Sequence, residues 1–163
     1  MEVIIHKNAT AVAEKGAELV EEMLLRKPAA VFGFATGSTP IEMYRRLVER
    51  HRDGAISFRA TRSFNLDEYL GIDPAHPNSY RSFMNREFFD HVDIPKSRTH
   101  LPECAPGQNP GHVAARYEEM IGQAGGIDLQ VLGVGSNGHI GFNEPSSSLA
   151  SRTRVKTLTR RTL

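Results

Sequence analysis

Residues 133–145, Gly-Val-Gly-Ser-Asn-Gly-His-Ile-Gly-Phe-Asn-Glu-Pro, set an imidazole, a carboxylate and two carboxamides among four glycines. They follow directly on the apolar run Ile127-Asp128-Leu129-Gln130-Val131-Leu132. A lone histidine usually serves the fold. Here Glu144 stands five residues after His139, close enough in a tight loop to hydrogen-bond one imidazole nitrogen. Such a bond fixes the tautomer and raises the basicity of the other nitrogen, which is how an acid–base dyad is oriented. Asn137 can donate or accept a hydrogen bond but cannot exchange a proton. Gly133, Gly135, Gly138 and Gly141 allow positive φ and a close approach of backbone to ligand. With no serine nucleophile elbow and no metal-ligand pair beside the loop, the chemistry it favours is proton transfer.

Two further loops carry compatible groups. Phe64-Asn65-Leu66-Asp67-Glu68-Tyr69 places two adjacent acids after an apolar stretch. Successive residues leaving a strand point in opposite directions, so one of the two faces a ligand. Partial burial would lift its pKa toward neutrality and make it a general base. In Ala35-Thr36-Gly37-Ser38-Thr39-Pro40, the trio Thr39, Pro40 and Glu42 reads as a capping box that starts a helix. Thr36, Gly37, Ser38 and Thr39 then lie at the positive end of that helix, where free amides bind phosphate. The segment is neither a Walker loop nor a GxGxxG fingerprint, so nucleotides are not indicated. A phosphate seat, a carboxylate base and an oriented histidine suit proton shuffling on a small phosphorylated molecule, with no metal and no cofactor.

The elements that must position these loops can be read from periodicity. Glu2–His6 is predicted as a short strand, followed by an amphipathic helix from about Ala11 to Arg26 that Lys27-Pro28 ends. Ala29–Ala35 and Thr61–Asn65 are predicted strands, with a helix over Pro40–Arg52 between them. One helix is expected over Asn78–His91, with Tyr80, Phe83, Met84 and Phe88 on one face, and another over Pro110–Gln123. The last strand is Ile127–Leu132. This alternation predicts an α/β fold with an open, mostly parallel sheet, Rossmann-like and doubly wound, with helices on both faces. Ligands in such sheets collect at the carboxyl ends of the strands, where all three loops fall.

Composition sets the remaining bounds. The 163 residues carry 39% hydrophobic and 24% charged side chains, as expected of one domain with its own core. One cysteine, Cys104, leaves no disulfide framework and no zinc cluster. The N-terminus lacks the basic and apolar regions of a signal peptide, and no apolar run approaches the roughly 20 residues that span a bilayer. A cytoplasmic protein without a membrane partner is expected. The net charge of +1 argues against nucleic acid as main partner. Arg152, Arg154, Lys156, Arg160 and Arg161 nonetheless give the last twelve residues five positive charges; without them 15 basic residues face 19 acidic ones. The tail is either a solvated basic strand or an anion site that needs more of the fold around it.

The motifs TGSTP, FNLDEY, HPNSYRSFM, FFDHVDIP, GVGSNGHIGFNEP and SSSLASRTRVKTLT, in that order, resemble glucosamine-6-phosphate deaminases over nearly the whole chain, from about Val31 to Leu158. The resemblance implies isomerisation and deamination of glucosamine 6-phosphate to fructose 6-phosphate and ammonia. It implies that His139 moves the ring-oxygen proton, Glu144 holds and polarises His139, Asp67 carries the C2 proton to C1, and Thr36–Thr39 seat the phosphate. Many family members have aspartate where Asn137 stands, so a neutral group here would orient His139 without relaying its proton. Family members continue well beyond Leu163, which implies a C-terminally incomplete domain over residues 1–163. Ser147, Ser148, Arg154 and Lys156 match positions that bind N-acetylglucosamine 6-phosphate between subunits in an allosteric, hexameric branch, which implies homo-oligomers. The rival readings are a 6-phosphogluconolactonase-like hydrolase, against which the FNLDEY acid and the FNEP glutamate speak, and a non-catalytic sugar-phosphate sensor. A sensor would not need Asp67, His139 and Glu144 together.

Overall fold

A computed structural model describes residues 2–148 and 150–158; Arg160 and Arg161 of the basic tail lie outside the described residues. Strand β1 (Val31–Phe34) is central. It pairs in parallel with β2 (Arg62–Asn65), with Val31 opposite Arg62 and Phe34 opposite Asn65. On its other side lies β4 (Leu129–Gln130), with Gly33 opposite Gln130. The two-residue β3 (Thr99–His100) pairs in parallel outside β2, giving the order β3-β2-β1-β4.

Side chains alternate across these strands, so each face has its own core. Phe32 and Phe34 face helices α1 (Ala9–Arg26) and α2 (Ile41–Arg52), together with the segment 80–89. Val31 and Phe64 face α4 (Pro110–Gln123), which buries Tyr117 against them. The sheet is thus covered on both sides, as the α/β reading requires. On the first face Phe34 stacks with Phe32 and meets Phe88 and Tyr44 edge-on, with ring centroids 5.1 and 5.8 Å away.

Helix boundaries follow local chemistry. The Asn8 side chain accepts a hydrogen bond from the Ala11 amide at 2.9 Å, so α1 starts earlier than the apolar pattern suggested. α4 spans the expected residues behind its Asn109 cap.

Four expectations change. Glu2–His6 forms no strand: the segment has no ladder partner among the described residues, and Val3 and Ile5 are 71% and 90% exposed. An apolar run makes a strand only where a neighbour accepts its backbone bonds. The helix over 78–91 divides into α3 (Tyr80–Met84) and a π-helical turn (Asn85–Phe89), in which Asp90 N donates to Asn85 O at 3.1 Å. Phe88 and Phe89 are consecutive and both buried. The wider π turn narrows the angle between successive side chains and lets both enter the core. β3 was missed because Thr99-His100 carries no apolar run. The last strand keeps only Leu129–Gln130 of the stretch from Ile127 to Leu132.

Candidate active site

Because every strand runs the same way, the three loops leave one edge of the sheet. After β1, Thr36 is half-buried while Gly37, at φ 93°, and Ser38 and Thr39 are exposed. The capping box is absent. α2 begins at Ile41, its N-cap is Pro40 in helical conformation, and no side chain caps the first turn. The helix thus starts one residue later than the motif implies, with Pro40 in the place expected of Thr39, and Glu42 pairs with Arg45 and Arg46 instead. The loop is tied to its helix by the Tyr44 hydroxyl, which donates to Ala35 O at 2.5 Å.

After β2 the two acids separate by role. Glu68 accepts the amides of Tyr69, Tyr80 and Arg81 at 2.9, 3.0 and 2.9 Å, so its carboxylate anchors the start of α3. Asp67 is half-buried at the loop junction. Burial, aided by the negative charge of Glu68, pushes its carboxyl up to about 7. A Cβ placed on Gly141 would stand 3.2 Å from Asp67 Oδ2. The glycine at 141, at φ 56°, therefore makes room for Asp67 as much as for any ligand.

The loop at 133–145 closes on itself. Ile140 and Asn143 exchange backbone hydrogen bonds at 3.1 and 3.0 Å. Asn137 Oδ1 accepts from His139 Nδ1 at 2.5 Å and from the His139 amide at 3.1 Å. Asn137 Nδ2 donates to Glu144 Oε2 at 3.1 Å. The connection from His139 to Glu144 thus runs through Asn137. A carboxamide oxygen only accepts, so Nδ1 is the donor of this pair, and in the neutral ring that leaves the lone pair on Nε2.

Aromatic contacts knit the loops together. Tyr69, Tyr80 and Phe142 pack mutually, with centroids 5.1 to 5.7 Å apart. The Tyr80 hydroxyl meets that of Tyr69 at 3.4 Å. Tyr80 bridges the second and third loops, yet sequence reasoning placed it only on a helix face. Its position immediately after the Ser79 cap was the available signal. Asn143, which had no evident role, accepts from Arg154 Nη2 at 3.0 Å. The tail behind Arg154 is held on α4 by Glu118, which accepts from the Thr153 amide and hydroxyl, both at 2.7 Å. Ser147 is half-buried with its amide on Glu144 O, whereas Ser148, Arg154 and Lys156 are exposed. A cleft of about 300 Å³ has Asp67, Phe142, Asn143, Tyr117, Arg154 and Lys156 among its walls; His139 and Thr36–Thr39 are not part of its lining. Among the described residues no group of three or more His, Cys, Asp or Glu could hold a metal ion, and no helix is long and apolar enough to cross a membrane.

The raised Asp67 carboxyl has a consequence for stability. Between roughly pH 4 and 7 the folded chain keeps a proton that the unfolded chain has lost, so stability falls as pH rises through that window. Asp67→Asn removes this dependence. Its gain in Tm relative to wild type is expected to be larger at about pH 8 than at about pH 4 in thermal melts; an equal offset at both would show that Asp67 is not held protonated.

A family profile described as glucosamine-6-phosphate isomerases/6-phosphogluconolactonase matches residues 6–155. A glucosamine-6-phosphate deaminase of Colwellia psychrerythraea is 59% identical over 163 residues, which is all of this chain and 61% of that protein. The chain therefore spans about three-fifths of the length of the curated relatives it matches. A solved structure described as a monomeric glucosamine-6-phosphate deaminase is 40% identical, with a TM-score of 0.95 over 99% of this chain and 67% of that one. The 6-phosphogluconolactonase of Thermotoga maritima, at 23% identity and a TM-score of 0.69 over 86% of this chain and 62% of its own, shares the fold. With its parallel sheet and three loops at one edge, the chain belongs to the glucosamine-6-phosphate isomerase/6-phosphogluconolactonase family.

Proposed function

We propose that the protein converts D-glucosamine 6-phosphate and water into D-fructose 6-phosphate and ammonia, in the breakdown of amino sugars. The observation that carries this reading is a carboxyl poised at about 7, Asp67, lying against the loop in which Asn137 fixes the imidazole of His139. The kinship with deaminases supports it.

In this reading Thr36–Thr39 seat the phosphate, with the first-turn amides of α2 behind them. Ring opening takes a proton from the anomeric hydroxyl and delivers one to the ring oxygen. His139 Nε2, free because Nδ1 donates to Asn137, serves both transfers. Asp67 as carboxylate then removes the C2 proton. The electron pair of that C–H bond forms a C1–C2 double bond while the C1 carbonyl oxygen takes a proton from the substrate's C2 ammonium group. Asp67 returns its proton to C1 and C2–N becomes a protonated imine; water adds at C2, one of its protons passes to nitrogen, and as the C2–N bond breaks the other passes from the new C2 carbonyl oxygen to the departing ammonia. A carboxyl titrating near neutral pH is suited to both taking and returning a proton.

Ser147, Ser148, Arg154 and Lys156 complete the reading as an anion site for N-acetylglucosamine 6-phosphate in a cytoplasmic assembly of up to six copies. One solved relative is described as monomeric, so family membership alone does not carry the assembly. The expected outcome is sharper activation of the full-length chain when the N-acetylated sugar phosphate is added; unchanged substrate kinetics would count against it.

Two assays test the chemistry. A full-length chain is expected to release ammonia and fructose 6-phosphate from glucosamine 6-phosphate, and His139→Gln to lose roughly 10²–10⁴-fold in kcat. No turnover by a folded wild-type protein sinks the assignment. In Asn137→Asp a carboxylate against Nδ1–H raises the imidazole pKa, so neutral His139 is lost at a higher pH and the acid limb of the kcat profile moves up. A superimposable profile removes the role given to Asn137.

A further inference from the structure

Gly135 lies outside the left-handed region, so backbone freedom does not explain a glycine there. A Cβ added to it would stand 2.1 Å from His139 Cε1 and 2.4 Å from both Nδ1 and Nε2. Three such short distances put the added atom against the face of the ring. The imidazole therefore lies flat on the bare Cα of Gly135. The same residue grips His139 through the main chain: the Gly135 amide donates to His139 O at 2.8 Å, and Gly135 O accepts from the Gly138 amide at 2.8 Å. Its neighbours in the loop differ. A Cβ on Gly133 would meet nothing within 4 Å, and Gly138 has φ 86° with only Pro145 nearby.

We infer that Gly135 is a positioning residue whose missing side chain is the floor on which the His139 imidazole is held in register with Asn137. The space at Gly135 is filled by the protein's own catalytic ring and not by substrate. A methyl group at this position must drive the ring off its seat, which pulls Nδ1–H from Asn137 Oδ1 and frees the tautomer. Misplacement of a reacting group by about 1 Å costs on the order of 100-fold in rate. The activity consequence rests on the deaminase reading; the seating of the ring does not.

The test uses the full-length chain in a double-mutant cycle, with denaturant unfolding and ¹⁵N-histidine NMR as readouts. Gly135→Ala is expected to destabilise the protein beside His139 but to be nearly neutral in a His139→Ala background, because the clash has gone. Gly135→Ala is also expected to lose the single Nδ1–H tautomer of His139, while Gly133→Ala leaves that resonance unchanged. In the ammonia assay Gly135→Ala should lose about 100-fold in kcat with KM little altered. Should Gly135→Ala fail to fold alone yet fold with His139→Ala, the inference stands. Equal destabilisation in both backgrounds, failure to fold in both, or an unchanged His139 tautomer overturns it. A wild-type protein that releases no ammonia would defeat the deaminase reading and leave the cycle to decide the role of Gly135.

Discussion

Parallel pairing of β1 with β2 and β4 is the constraint on which the site depends. Phe34 and Asn65 are register partners, so the Thr36–Thr39 and Asp67–Glu68 segments leave the sheet side by side and at the same height. β4 stops level with Gly33, and its continuation rises past them to form the third wall. None of these loops would meet in an antiparallel sheet, where alternate connections fall at opposite edges. The pairing is held by aromatic packing on one face, around Phe34 and Phe88, and by Tyr117 against Phe64 on the other. Tyr117 also donates to Asn65 O at 2.8 Å, so one side chain serves both the core and the strand end from which Asp67 departs.

On that frame, polarity is divided by partner. Two neighbouring carboxylates have opposite fates because Glu68 finds three amides while Asp67 finds burial and a like charge. The same logic governs Asn137. Its oxygen faces two donors and its nitrogen faces a carboxylate, so the carboxamide has one sensible orientation. An aspartate there would set two carboxylates against each other unless they shared a proton.

Much of this was legible in the sequence. The helical spacing of Val12, Gly16, Leu19, Val20, Met23 and Leu24 announces α1, although the face it buries is Ala13, Ala17, Val20 and Leu24, with Val12 and Leu19 exposed. The apolar run at Val31–Phe34 announces a buried strand, while the run before Gly133 yields a strand that is only half-buried. Legibility failed where the deciding factor was another part of the chain. Glu2–His6 has strand composition but no neighbour to pair with. Thr99-His100 lacks strand composition, yet lies beside Ser63 and Phe64. The capping box at Thr39 failed because Pro40 itself takes the cap position. In the site, Asp67, Asn137, His139 and Glu144 could be chosen by residue type. Their order of connection could not, since Asn137 lies between the histidine and the glutamate only once the loop has folded, and Tyr80 joins two loops only in three dimensions.

The shortness of β4 has a further meaning. The ladder gives the His139 loop only two residues; beyond them it is shaped by bonds among its own residues, from Gly135 to Glu144, and attached through Phe142 and Asn143. Such a segment is largely shaped by itself and joined to the rest at a few points. Substitutions within it can redirect reactivity while the aromatic core keeps its stability, and core changes can accumulate without retuning the imidazole. A scaffold partitioned in this way can diversify its chemistry over evolutionary time at little risk to folding, which is one physical route by which deaminases and lactonases come to share a single architecture.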